Sequence, residues 1–187
     1  MILAIDTSLG TSIALVDGDR VVAARDEHDT RRHAEVLDVL LSDVLGEHRH
    51  AVTQVVAGLG PGAFTGLRIG IVAARTAALG LGVPWVGVCS HDAVGVAEAG
   101  LVQVTTDVRR RERAWSLYDG GQRVQGPALA PAADVPIVDG ARRIDADWIG
   151  AAGLVAALHA GAEPSRDAIY LRDADAVPSA APKRVAR

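Results

Sequence analysis

The sequence predicts an α/β fold in which a β-β-β-α-β-α-β-α unit is followed by a shortened second version of itself. Three observations lead there. Apolar runs at 2–5, 12–16 and 21–24 are separated by Leu9-Gly10 and Asp17-Gly18-Asp19, the pattern of a meander with tight turns. Between 30 and 99, stripes at helical spacing alternate with short apolar runs. Strand-like runs then resume at 102. With 187 residues, 49% of them hydrophobic and 22% charged, the chain can bury a sizeable core.

The elements follow in order. Ala34, Leu37, Leu40, Leu41, Val44 and Leu45 share a helical face, so the first helix is predicted over 30–45, with Gly46 as its stop. A buried strand at 54–57 leads through the loop 58–65 into a second helix over 66–79. Trp85–Val88 reads as a strand and 90–99 as a short helix. In the second half, strands at 102–107 and 114–118 flank the charged turn Arg109-Arg110-Arg111-Glu112. A third strand is expected at 123–125, a fourth at 136–138 and a helix at 147–159. The expected division is a first lobe at 1–100, a shortened second lobe at 101–175 and a loose tail at 176–187.

Composition excludes several chemistries. Cys89 is the one cysteine, so there is no disulfide framework, and a reducing cytoplasm is the natural compartment. The 19 basic residues include a single lysine, Lys183 in the tail, which leaves no Schiff-base or P-loop lysine inside the fold. A net charge of −4 makes the chain a poor candidate for gripping nucleic acid alone. The first residues lack a basic n-region and a cleavage pattern, so no signal peptide is expected. The uncharged stretch 76–90, broken by Gly80, Gly82 and Pro84, is shorter than the roughly 18–20 residues that span a bilayer, and no membrane role is expected.

The second helix is the most informative element. Gly66, Gly70, Ala74 and Ala78 fall at i, i+4, i+8 and i+12. A glycine inside a helix costs ~1 kcal/mol relative to alanine, so this strip needs an offsetting close contact. Its partner is either the protein's own sheet or first helix, or a helix of another subunit; spacing alone leaves both open. The loop before it matches the dinucleotide fingerprint only as Gly58-x-Gly60-x-x-Ala63 and fails Walker A. It can bind an anion through backbone N–H groups or serve as a tight Pro-Gly turn. Asp6, Thr7, Ser8, Gly10 and Thr11 on the first hairpin form a candidate phosphate-binding set, although such residues also simply make turns.

Other motifs carry less. Ser90-His91-Asp92 spells a hydrolase triad, but consecutive helical residues diverge by ~100° and cannot form the relay. His48-x-His50 has no third ligand beside it and reads as solvated loop. His33 is placed on the exposed first turn of the first helix, beside Arg31 and Arg32. Those arginines and the 109–113 cluster read as wet surface or as contacts to an anionic partner.

Four segments together are far more specific. They are Met1-Ile2-Leu3-Ala4-Ile5-Asp6-Thr7-Ser8, then Gly60-Pro61-Gly62-Ala63-Phe64-Thr65-Gly66-Leu67-Arg68-Ile69-Gly70, then Asp107-x-Arg109-Arg110-x-Glu112, then Tyr170-Leu171-Arg172. This combination resembles the TsaB (YeaZ) family, closely over 1–100 and more loosely to about 175. The resemblance implies a two-lobed fold of the actin, sugar-kinase and Hsp70 type with a reduced second lobe. It implies a non-catalytic subunit, without metal or cofactor, for forming threonylcarbamoyladenosine beside the anticodon of tRNA. The partners implied are the transferase paralogue TsaD and the ATPase TsaE, with self-association in their absence and tRNA met only through the complex.

By the same resemblance the pairing surface lies on the first two helices. The expected interface residues are His33, Leu37, Leu41, Gly66, Leu67, Gly70, Ala74 and Ala78, and Gly70→Arg is expected to abolish pairing while the monomer stays folded. The paralogue's two metal-binding histidines correspond here to Ser90 and Val94, neither of which can replace an imidazole. The rival readings are an autonomous nucleotide-binding hydrolase and a glycoprotease-like enzyme.

Overall fold

The computed structural model describes residues 1–108 and 110–171; Arg109, Arg172 and the tail expected at 176–187 with Lys183 lie outside the described residues. Strands β1 (Ile2–Asp6), β2 (Thr11–Asp17) and β3 (Arg20–Glu27) form the expected antiparallel meander. Strands β4 (Gln54–Gly58) and β5 (Trp85–Val88) add in parallel, giving the order β3-β2-β1-β4-β5.

Alternation of side chains along the strands sorts the core into two layers. Leu3, Ile5, Ile13, Leu15, Val55 and Ala57 bury one face under α1 (His33–Leu45) and α2 (Phe64–Leu81). Ala4, Ala14, Val16, Val56 and Val88 bury the other under α4 (Ala151–His159). Helix α2, with 18 residues and a mean hydropathy of 1.3, is long and apolar enough to cross a membrane. Its buried stripe nevertheless sits on the sheet, as a core helix does.

The second sheet repeats the first in reduced form. Strands β6 (Leu101–Asp107), β7 (Glu112–Asp119) and β8 (Gln122–Pro131) are antiparallel, and β9 (Arg142–Ala146) joins β6 in parallel, in the order β8-β7-β6-β9. Among the described residues no strand stands as the counterpart of β5. The fourth strand is displaced from its expected place at 136–138, which is a loop whose Pro136 carbonyl accepts from Gln103 Nε2 at 2.9 Å. Its true segment, Arg-Arg-Ile-Asp-Ala, hides from hydropathy because only Ile144 and Ala146 turn to the core.

Helix boundaries also shift. Helix α1 begins at His33 rather than 30, because a turn closed by Arg32 N to Asp29 O precedes it. The helix expected at 90–99 is the single turn α3 (Asp92–Gly95). More consequentially, the expected second lobe at 101–175 is not one packed unit. Helix α4 packs on the first sheet, Ala151 N donates to Ser12 Oγ at 2.8 Å, and residues 165–171 form a strap along β5. Gly87 and Ser165 exchange backbone bonds of 2.8 Å, and Ile169 N donates to Leu59 O at 2.8 Å. Ala168 and Ile169 then pack on Leu59, Leu67 and Ile71.

Candidate functional site

The β1–β2 hairpin is occupied by its own neighbours. Asp6 Oδ1 accepts from Ser8 N at 2.8 Å and Ser8 Oγ at 2.5 Å, while Oδ2 accepts from Ser90 Oγ at 2.6 Å. Ser90 Oγ in turn accepts from Gly60 N at 3.0 Å, tying β1 to both loops that leave the parallel strands. Thr7 Oγ1 donates to Gly66 O at 2.8 Å, and Thr11 Oγ1 bonds His33 Nδ1 at 2.8 Å. Trp148, in the connection between β9 and α4, lies over Gly10, where a Cβ would sit 2.3 Å from its ring. Within the expected phosphate set Asp6, Thr7, Ser8, Gly10 and Thr11, the side chains of Asp6, Thr7, Ser8 and Thr11 are bonded inside the chain as a structural knot. Burial pushes the Asp6 carboxyl above its ordinary pKa, against the opposing pull of the Ser8 and Ser90 bonds.

The glycine strip finds its partner in the same knot. A Cβ on Gly66 would lie 2.9 Å from Thr7 O, and one on Gly70 would lie 2.1 Å from Thr7 Oγ1. Ala74 and Ala78 continue the strip into the core under β1 and β4. Of the two readings that spacing allowed, the structure takes the chain's own sheet.

The expected interface residues Gly66, Leu67, Gly70, Ala74 and Ala78 are thus buried within the chain, and Leu37 and Leu41 are half-buried against the same core. His33 is corrected from exposed to buried, held by Thr11 beneath Gly66. A helix cannot offer one stripe to two neighbours. Outward, α2 presents Arg68, Val72, Arg75, Thr76 and Leu79, with Val72 58% and Leu79 84% exposed, and α1 presents Val39 at 63%. Val72, Arg75, Thr76, Leu79, Val83 and Trp85 line most of a groove of about 490 Å³. Sequence reasoning overlooked this outer stripe, although its spacing was as regular as that of the inner one.

Ser90, His91 and Asp92 go three separate ways. Ser90 serves Asp6, and His91 bonds Ser116 Oγ at 2.8 Å and Thr106 Oγ1 at 2.9 Å. Asp92 accepts from Tyr118 OH at 2.7 Å and Arg123 Nε at 2.8 Å. Burial, helped by the charge of Arg123, lowers the His91 pKa to about 3, and burial raises the neighbouring Cys89 thiol to about 12. His48 and His50 lie exposed on a 3-10 turn, Gly46–Ala51.

The His91 shift makes a stability prediction. Its folded pKa lies below the unfolded value of about 6.5, so between pH 6.5 and 3 the unfolded chain takes up a proton that the native chain refuses. Stability contributed by neutral His91 is full above pH 6.5 and falls by up to ~1.4 kcal/mol per pH unit below it. Urea unfolding from pH 7 to 4.5 should show this acid limb flattened in His91→Gln. Parallel limbs for parent and variant would contradict it.

The family model described as TsaD: tRNA N6-adenosine threonylcarbamoyltransferase matches residues 23–143. The protein named tRNA threonylcarbamoyladenosine biosynthesis protein TsaB of Escherichia coli is 33% identical over 125 residues, 63% of this chain and 54% of that protein. A Pseudomonas aeruginosa protein described as similar to peptidase YeaZ superposes with a TM-score of 0.74 at 25% identity, covering 91% of this chain and 99% of its own. This chain belongs to the TsaB family.

An uncharacterized Mycobacterium tuberculosis protein is 37% identical over 205 residues, 96% of this chain and 95% of the relative. A Mycobacterium leprae relative, 39% identical over 143 residues, is matched over 40% of its own length. Ser90 and Val94, the positions expected to correspond to the paralogue's histidines, each have a place in this fold. Ser90 bonds Asp6, and Val94 packs on Val102, Val104 and Tyr118.

Proposed function

We propose that this chain is a non-catalytic partner subunit for tRNA threonylcarbamoyladenosine formation, pairing through the outer faces of α1 and α2 with a TsaD-type transferase and working with a TsaE-type ATPase. The observation that carries this reading is the pair of exposed apolar positions Val72 and Leu79 beside their groove, on a helix whose inner stripe is already consumed. Scattered apolar residues are common on surfaces, but a stripe of them on a helix bordering a groove is what a partner helix packs against. The committed polar groups of the hairpin and the divergence of Ser90, His91 and Asp92 support a binding role over a catalytic one. A cytoplasmic location follows from this reading, and self-association in the partner's absence would use the same faces.

Reconstitution tests it. Threonylcarbamoyladenosine should form on tRNA with TsaD, TsaE and the adenylate-making enzyme only when this chain is present, and the chain alone should do nothing. Equal product without it would overturn the reading. A second reading, nucleotide binding, is favoured by a cleft of about 610 Å³ lined by Ser8, Arg31, Phe64, Thr65 and Asp107. Micromolar Mg-ATP binding to the isolated chain by calorimetry would support that reading, and no heat would dismiss it.

A further inference from the structure

The net charge of −4 conceals a face with the opposite character. Several arginines elsewhere hold carboxylates: Arg25 holds Asp43, Arg31 holds Asp29, Arg113 holds Asp145 and Arg123 holds Asp92. Arg68 and Arg75 on α2 and Arg166 on the strap hold none among the described residues. They stack on rings instead. The Arg68 guanidinium lies 3.9 Å from the Phe64 centroid and 5.9 Å from that of Tyr170, with Nε 3.4 Å from the Tyr170 hydroxyl. Arg75 and Arg166 flank the Trp85 ring at 5.6 and 5.8 Å. Phe64 and Tyr170 are 4.9 Å apart, and Tyr170 is 42% exposed. Helix α2 carries no acidic residue, and Asp167, beside Arg166 in sequence, forms no ion pair among the described residues.

A guanidinium lying on a ring keeps N–H groups in its plane that can take a phosphate, while the exposed Tyr170 ring can stack a base. We propose that the Arg68, Arg75 and Arg166 face, with Phe64, Trp85 and Tyr170, binds single-stranded or loop RNA. This deepens the function proposed above and rests on it for the choice of RNA over an acidic protein segment. It goes beyond the expectation that tRNA is met only through the complex. Arg75 and Trp85 also line the groove with Val72, Thr76 and Leu79, so an RNA strand would run along the edge of the partner helices.

The test uses the full chain and a fluorescein-labelled, unmodified anticodon stem-loop, followed by anisotropy at several salt concentrations. Parent binding should weaken with salt, by a log-log slope of about 0.7 for each single-stranded phosphate neutralised. Arg75→Gln/Arg166→Gln should bind roughly tenfold more weakly with a slope smaller by about 1.4. Tyr170→Leu should weaken binding with the slope unchanged, because stacking is not ionic. Circular dichroism melts confirm that each variant is folded. No parent binding up to about 100 µM at about 50 mM salt, unaltered binding by the arginine variant, or equal affinity for polyglutamate would each overturn the proposal. Product formation that needs this chain but ignores these variants would sink the RNA face and leave the subunit reading standing. Patch-dependent RNA binding by a chain that reconstitution does not need would do the reverse.

Discussion

Val72→Glu and Leu79→Glu on α2 are expected to abolish pairing with the TsaD-type partner and to reduce threonylcarbamoyladenosine formation to the level seen without this chain. Both side chains are largely exposed in the monomer, so its stability should change by no more than about 0.5 kcal/mol. In the complex each glutamate would be a charge taken out of water at the helix contact, offset only in part by Arg68 or Arg75 one turn away. That costs about 3 kcal/mol or more, over a hundredfold in Kd. Light scattering behind gel filtration reads the heterodimer directly, and thermal melts report on the monomer. A heterodimer that survives either substitution would move the interface off this stripe.

Gly70→Ala should destabilise the monomer itself. The added Cβ would lie 2.1 Å from Thr7 Oγ1, 2.9 Å from its Cγ2 and 3.0 Å from its Cβ, all on the strand end that α2 grips. Either Thr7 gives up its buried bond to Gly66 O or the helix lifts from the sheet. Overpacking and a lost buried hydrogen bond together predict about 2–4 kcal/mol. Thr7→Ala removes the two nearest atoms, so the double variant should recover part of the loss in a urea-unfolding cycle. By the same contact Gly70→Arg should fail to fold, which reverses the expectation that it would separate pairing from folding. Parent-like stability of Gly70→Ala would refute the close packing.

The meander, both long helices and β5 were legible because each writes its burial into the order of residues. Ile5 and Leu3 alternate with Ala4, and Ala34 to Leu45 recur every three or four positions. The fourth strand of the second sheet was misplaced for the complementary reason. Arg142, Arg143 and Asp145 stand on a strand whose only apolar partners are Ile144 and Ala146, while 136–138 carries the hydrophobicity of a strand without pairing. The family was legible from contiguous motifs, chiefly the run from Gly60 to Gly70, where many residues must together fit one turn, one helix start and one close contact.

The candidate site was legible in residue type and not in direction. Beside Arg31 and Arg32, His33 reads in sequence as a surface residue, yet the helix turns it under Gly66 onto Thr11. The α4 helix and the strap were placed with the second lobe by sequence order, whereas they complete the first sheet.

By itself, the sequence determined the element types, the two-lobed α/β class, the family and the need of α2 for a close neighbour, all consequences of local periodicity and short contiguous motifs. Only the tertiary structure decided that this neighbour is Thr7, that the hairpin side chains bond Ser90, Gly66 and His33, and that three arginines stack on neighbouring rings with no carboxylate partner among the described residues. The physical reason is that a stripe records only that something must cover it. What covers it is Thr7, 59 positions from Gly66, and no pattern along the chain encodes that distance.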